Sequence, residues 1–136
     1  MKKTITVSLS LILALLLCLA SCGSKNPWDD AIYKEDKTFG EGKATVEVEL
    51  TVNENNVTFT IKTDKTTLGD ALTEHGLIEG EEGAYGLYVK KVNGITADYD
   101  VDKTYWAFYK DGVALLTGVD STDISDGEHY EIVYTK

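Results

Sequence analysis

Acidic side chains recur in this sequence at spacings that oxygen-seeking cations use. Asp98, Asp100 and Asp102 fall at alternate positions, as at the start of a calcium loop. Lys103 stands where such a loop needs its sharp-turn glycine, and Tyr109 where it needs a bidentate glutamate. Asp120, Asp123 and Asp126 lack a matching donor pattern as well, so both sets read as solvated acidic loops. His75 suits a helix C-terminus, where the dipole favours a cation, and His129 opens the last strand. No Ser-His-Asp order, paired-carboxylate motif, phosphate loop or metal-ligand spacing stands out. The chain reads as a non-enzyme without a metal site.

Apolar chemistry is denser. Nine aromatic residues (Tyr85, Tyr88, Tyr99, Tyr105, Trp106, Phe108, Tyr109, Tyr130 and Tyr134) crowd into fifty positions. Strand alternation sets Tyr105, Ala107 and Tyr109 on one face and Trp106 and Phe108 on the other, and a small domain cannot bury both. The rings either cover a sheet face or divide between core and a binding surface, where tyrosine joins apolar area to a polar tip. Nearby, Leu115 and Leu116 are adjacent, so an extended chain exposes one of them. Gly118 follows, with no side chain to keep a ligand from the backbone.

The N-terminus carries a different kind of chemistry. Lys2 and Lys3 precede an apolar run from Ile5 to Ala20, broken only by Thr6, Ser8 and Ser10, which ends in Leu19-Ala20-Ser21-Cys22. A cationic start, a short apolar stretch and small residues before a cut site form an export signal. The run is shorter than the ~20 residues of a spanning helix. The tetrapeptide resembles the bacterial lipobox, which implies cleavage before Cys22, acylation of its thiol, and a membrane anchor facing outside the cytoplasm. Residues 1–21 are then a lipoprotein signal peptide. Cys18 leaves with it, so the folded part holds neither a disulfide nor a cysteine-based site.

Charge narrows the partners further. Loss of Lys2 and Lys3 leaves 11 lysines and no arginine against 23 acids, a side-chain charge of −12. Such a surface repels nucleic acid and anionic lipid headgroups. Membrane attachment must then come from lipid, with more than one acyl chain for a stable hold.

The remaining residues must position these groups. Residues 22–43 mix Gly, Ser, Asn, Pro and alternating charge, and are expected to be a flexible acidic tether spanning on the order of 25 Å; Trp28, Ile32 and Tyr33 could instead dock on the domain. From residue 44 to 136 the pattern is one small domain. Ala44 to Val52 and Val57 to Thr63 alternate strictly around Asn53-Glu54-Asn55-Asn56, a β-hairpin. Leu68, Ala71, Leu72 and His75 mark one helix, capped by Thr66 or Thr67 and stopped by Gly76. Glu79 to Gly83 is expected to be a loop. Strands are expected over Tyr85–Val92, Tyr105–Lys110, Val113–Thr117 and His129–Thr135. This is an α+β domain whose order is β-grasp-like, the ubiquitin-like arrangement.

Five segments from residue 67 to 134 then fall into a family order. They are Thr67-Leu68-Gly69-Asp70-Ala71-Leu72, Tyr88 to Gly94, Thr104-Tyr105-Trp106-Ala107-Phe108-Tyr109, Leu115-Leu116-Thr117-Gly118-Val119 and Asp126-Gly127-Glu128. The chain resembles the transcobalamin-like C-terminal domain, a bacterial family related to the C-terminal domains of transcobalamin and intrinsic factor. In those carriers the domain is a lid over one face of cobalamin. The resemblance implies a ligand surface at Tyr85, Gly86, Trp106, Leu115, Leu116, Thr117 and Gly118. The large helical barrel of the carriers has no counterpart here, so a lone lid implies a partner, such as a transporter or second envelope protein. The expectation is a lipid-anchored binding module for cobalamin or another corrinoid, with no intrinsic cofactor. Its rival is a cell-envelope protein–protein interaction module.

Overall fold

The computed structural model describes residues 25–136, so the signal segment and Cys22 lie outside the described residues. The strands, in chain order, are β1 (Lys37–Phe39), β2 (Ala44–Val52), β3 (Asn55–Thr63), β4 (Ile78–Gly83), β5 (Gly86–Val92), β6 (Ile95–Thr96), β7 (Tyr105–Lys110), β8 (Val113–Ala114) and β9 (His129–Thr135). Two short helices interrupt them, α1 (Leu68–Thr73) and α2 (Tyr99–Asp102). None of the described helices is long and apolar enough to cross a membrane.

The expected hairpin forms as its alternation requires. β2 pairs antiparallel with β3, setting Val46 opposite Ile61, Val48 opposite Phe59 and Leu50 opposite Val57. All six side chains are buried. β9 lies parallel to β2 on its other side, with Val48 beside Tyr130 and Leu50 beside Ile132. The six-stranded order is β1-β3-β2-β9-β7-β8, and β4-β5-β6 form a separate small sheet. The α+β, β-grasp-like architecture follows from that central parallel pair.

α1 begins where Thr67 Oγ1 accepts the Asp70 N–H at 3.2 Å, an N-cap that satisfies one of the helix's orphan donors. It buries Leu68, Ala71 and Leu72 and ends at Thr73, two residues short of His75. The acidic cluster supplies the second helix. Asp98 Oδ1 accepts the Asp100 N–H at 3.1 Å as the α2 N-cap, and Lys103 closes the helix in the left-handed region.

Three expectations need correction. Glu79 to Gly83 is not a loop but most of β4, paired with β5. Its side chains are exposed, so only its partner strand makes it a strand. A β-bulge falls at Glu79/Gly80, where an added Cβ on Gly80 would sit 1.9 Å from the Tyr88 carbonyl oxygen; only glycine fits. The strand expected over Val113–Thr117 covers only Val113 and Ala114.

The third correction concerns the flexible tether of residues 22–43, whose part from Lys25 onward is built into the domain. β1 pairs parallel with β3, and Phe39 enters the core. Tyr33 packs edge-on against Phe39 and Phe59, at centroid distances of 5.2 and 6.1 Å. Asn93 locks the segment down. Its side chain accepts the Tyr33 N–H at 2.9 Å and donates to the Tyr33 carbonyl at 2.8 Å, while its own carbonyl accepts the Ile32 N–H at 3.0 Å. The apolar residues Trp28, Ile32 and Tyr33 offered docking as the alternative, but nothing local marked the Asn93 clamp, whose partner backbone is sixty residues away.

Asn93 is 1% exposed, and its loss strands part-buried polar groups on Tyr33. Asn93→Ala should cost about 2–4 kcal/mol in urea unfolding. It should also expose residues 31–39 to hydrogen exchange before the six-stranded sheet opens.

Candidate functional site

The small sheet and the large sheet do not close on one another, and an open groove of about 390 Å³ lies between them. One wall is β5, through Leu87, Tyr88 and Val89, and the other is the β7–β8 hairpin, through Tyr105, Trp106, Phe108 and Leu115. Tyr99 on α2 and the loop Thr117-Gly118-Val119 complete the lining.

Trp106 holds the walls in register. Its ring is buried, meets Tyr134 edge-on at 5.4 Å, and its Nε1–H donates to the Lys90 carbonyl across the gap at 3.2 Å. The phase of β7 explains why: Trp106 and Phe108 share a face with Tyr134 and Ile132, their β9 partners. Tyr99 and Tyr105 meet at 6.4 Å and, with Tyr88, form a half-exposed aromatic rim.

The loop is tied at both ends. The Leu115 N–H donates to the Phe108 carbonyl at 3.0 Å. Thr122 Oγ1 donates to the Gly118 carbonyl at 2.9 Å, and Asp120 accepts the Leu87 N–H at 2.9 Å. Gly118 has φ −63°, an ordinary value, so the backbone does not demand glycine there. What its missing side chain does is keep the groove wall low.

Electrostatically the site is acidic around an apolar floor. The Glu81 carboxylate, 3.3 Å from Lys90 Nζ, holds that ammonium above its ordinary pKa, with Asp98 at 3.9 Å assisting. The Thr104 hydroxyl and N–H donate to Asp102 and hold its carboxyl below the usual range. These carboxylates build the scaffold, and among the described residues no group of three His, Asp or Glu is placed to hold a metal. His75 lies against Phe39 at 5.4 Å, and His129 stands between Glu47 and Glu49 at 3.5 and 3.3 Å on the outer sheet face.

Of the residues singled out in the sequence, Trp106, Leu115, Thr117 and Gly118 come together in this groove. Tyr85 and Gly86 sit at the β4–β5 turn beside it, with the Tyr85 carbonyl 3.4 Å from the place of a Gly118 Cβ. Leu116 is 99% exposed and is not part of the lining. Cys22 lies outside the described residues. Tyr88, Tyr99, Tyr105 and Phe108 carried a signal, as part of the aromatic excess. Val89 and Val119 lay within the segments that carry the family resemblance, and Leu87 carried no signal beyond ordinary strand composition.

Residues 65–136 match the family model described as Domain of unknown function (DUF4430). A proposed metal-binding protein from Ruminococcus gnavus ATCC 29149 is similar in structure, with TM-score 0.66 and 30% identity over 69% of this chain and 98% of that one. Haptocorrin in complex with Cbi is similar over 72% of this chain, with TM-score 0.58 and 20% identity, a likeness of fold alone. This chain spans 26% of haptocorrin's length. No curated protein matches the sequence.

Trp106→Phe keeps the ring but removes the donor to Lys90. The Lys90 carbonyl keeps the Ala97 N–H at 2.8 Å, so the lost hydrogen bond and lost volume should lower unfolding free energy by about 1–2 kcal/mol, read by urea denaturation. Tyr99→Ala, on the exposed rim, should change it by less than about 0.5 kcal/mol.

Proposed function

We propose a binding role for this chain, which belongs to the family described as Domain of unknown function (DUF4430): a lipid-anchored extracytoplasmic module that captures cobalamin or another corrinoid in the groove. The observation that carries this reading is the juxtaposition of the aromatic rim with the Leu115–Gly118 loop over an apolar floor. Flat ligands gain most from such walls, because rings stack on them while tyrosine tips stay wet. A volume of about 390 Å³ falls in the range of small-molecule sites, but the groove covers one face of a large macrocycle at most. Haptocorrin, similar in fold, holds Cbi. In this reading the uncovered face of the ligand meets a second envelope protein, such as a transporter. In this reading the chemistry is capture rather than turnover.

Attachment follows from the sequence. Acylation of Cys22 would supply the membrane hold that an acidic surface cannot. Cells fed radiolabelled palmitate should label the wild-type protein and not Cys22→Ala, which should appear in the soluble extracytoplasmic fraction. Equal labelling of the two would remove the anchor from this account.

Ligand capture is testable on residues 23–136. Cobinamide and cobalamin should each quench tryptophan fluorescence saturably at micromolar concentration. Leu115→Asp, which puts a charge on the apolar wall, should weaken binding at least about tenfold, roughly the cost of burying a polar group there. Thr60→Ala, on the outer sheet face, should bind like wild type. A flat titration to about 100 micromolar, a binding energy near 5.5 kcal/mol, would reject corrinoid capture.

A further inference from the structure

The wall of the groove formed by β7 is an open strand edge. Asp111 donates its N–H to the His129 carbonyl at 3.3 Å, toward β9, while the Phe108 carbonyl accepts from Leu115, on the β8 side. Backbone groups alternate sides along an antiparallel strand. Tyr105, Ala107 and Tyr109 therefore turn theirs toward β9, and Trp106 turns its N–H and carbonyl toward the groove. β8 ends at Ala114, too early to meet Trp106. Among the described residues neither Trp106 backbone group has a hydrogen-bond partner.

An unpaired edge beside an apolar slot is a template for one more strand. We propose that the groove is a strand-addition site, taking an extended peptide segment of a partner protein that is apolar at alternate positions and lysine- or arginine-bearing at its flanks. Its backbone pairs with Trp106, and its apolar side chains rest on Val89, Phe108 and Leu115.

Charge decides which occupant. Glu81 and Glu82 stand opposite Tyr88 and Leu87 in the β4–β5 register, Asp100 follows Tyr99 on α2, and Asp120 reaches the Leu87 N–H. Lys90 is already committed to Glu81 and Asp98, and Lys103 lies 4.8 Å over the Tyr99 ring. A second copy of this chain, with a formal net charge of −10, would bring the same acidic rim and be repelled. A basic segment is attracted. This inference goes beyond corrinoid capture and does not depend on it.

The test uses the full chain in mild detergent and fluorescein-labelled Lys-Val-Thr-Val-Thr-Val-Lys. Three analogues accompany it: one N-methylated along one backbone edge, one along the other, and one with Glu in place of Lys. Saturable binding is expected, at least about tenfold weaker for one of the two methylated peptides and for the Glu peptide. The Trp106 amide should exchange faster than those of Ala107 and Tyr109, which turn toward β9, in the free protein and become protected on binding. The proposal is overturned by equal binding of all four peptides, by no binding up to about one millimolar, or by a Trp106 amide indifferent to the peptide. Cobinamide titrated into the same sample separates the two readings. Peptide binding without cobinamide binding sinks corrinoid capture alone, and the reverse sinks strand addition alone.

Discussion

The parallel pairing of β2 with β9 is the constraint on which the rest of the molecule hangs. Two strands that lie eighty residues apart in sequence sit side by side, and their inward residues Val48, Leu50, Tyr130 and Ile132 are all fully buried or nearly so. Parallel neighbours cannot be joined by a tight turn, so everything between them must leave the sheet and return. The return is stapled at its end. Gly127 donates its N–H to the Thr45 carbonyl at 2.8 Å, Asp126 accepts the Thr45 N–H at 2.7 Å, and Glu47 donates to the Glu128 carbonyl at 3.0 Å. Partial burial works against ionisation of Glu128, but hydrogen bonds from Lys110, the Ser125 N–H and Tyr130 outweigh it and hold the carboxyl below its usual range. The stability this adds is present above the unfolded carboxylate pKa and is lost as pH falls through the folded one.

With β9 central, its free side takes β7, and β7 becomes the last long strand of the large sheet. The groove therefore sits at a margin, where a two-residue strand is the only further cover. The N-terminal segment closes the opposite margin, with β1 along β3 and the Asn93 clamp over Tyr33. This changes the geometry of any anchor. If Cys22 carries lipid as proposed, Gly23 and Ser24 are all that separate it from the described body, a reach of about 10 Å at full extension rather than the roughly 25 Å of a flexible tether.

The β2–β3 hairpin could be read from alternation because its strands bury one face along nearly their whole length, and β9 because Tyr130 and Ile132 are buried at alternate positions. β4 could not, because Ile78 is its one buried side chain and the strand exists through β5. β1 could not either, since three residues carry too little period and its partner is remote. At the site, the aromatic excess and the adjacent leucines were visible, but their division was not. Trp106 belongs to the interior and Tyr105 to the rim because β9 fixes the phase of β7, which no local pattern encodes. Val89 and Val92 are both buried although three positions apart, an odd spacing that the bulge opposite Gly80 makes possible. Without the bulge β5 would present one of them to solvent, and the groove would lose part of its wall.

Why the groove stays open is then a question about residues 115–119. Had β8 run on to Thr117, it would have paired with Trp106 and covered the slot. Leu115 keeps the last ladder bond and packs against the core, whereas Leu116, its neighbour in an extended chain, cannot share that face and lies in solvent. Beyond it Val119 is buried, and Asp120 is drawn to the Leu87 N–H on the far wall. The chain is thus pulled across the mouth of the groove to the small sheet rather than along β7. Exposing Leu116 forgoes about 1.5–3 kcal/mol that full burial of such a side chain would contribute. That cost arises because the loop spans two sheets, and the same span leaves the Trp106 edge and its apolar walls accessible from outside.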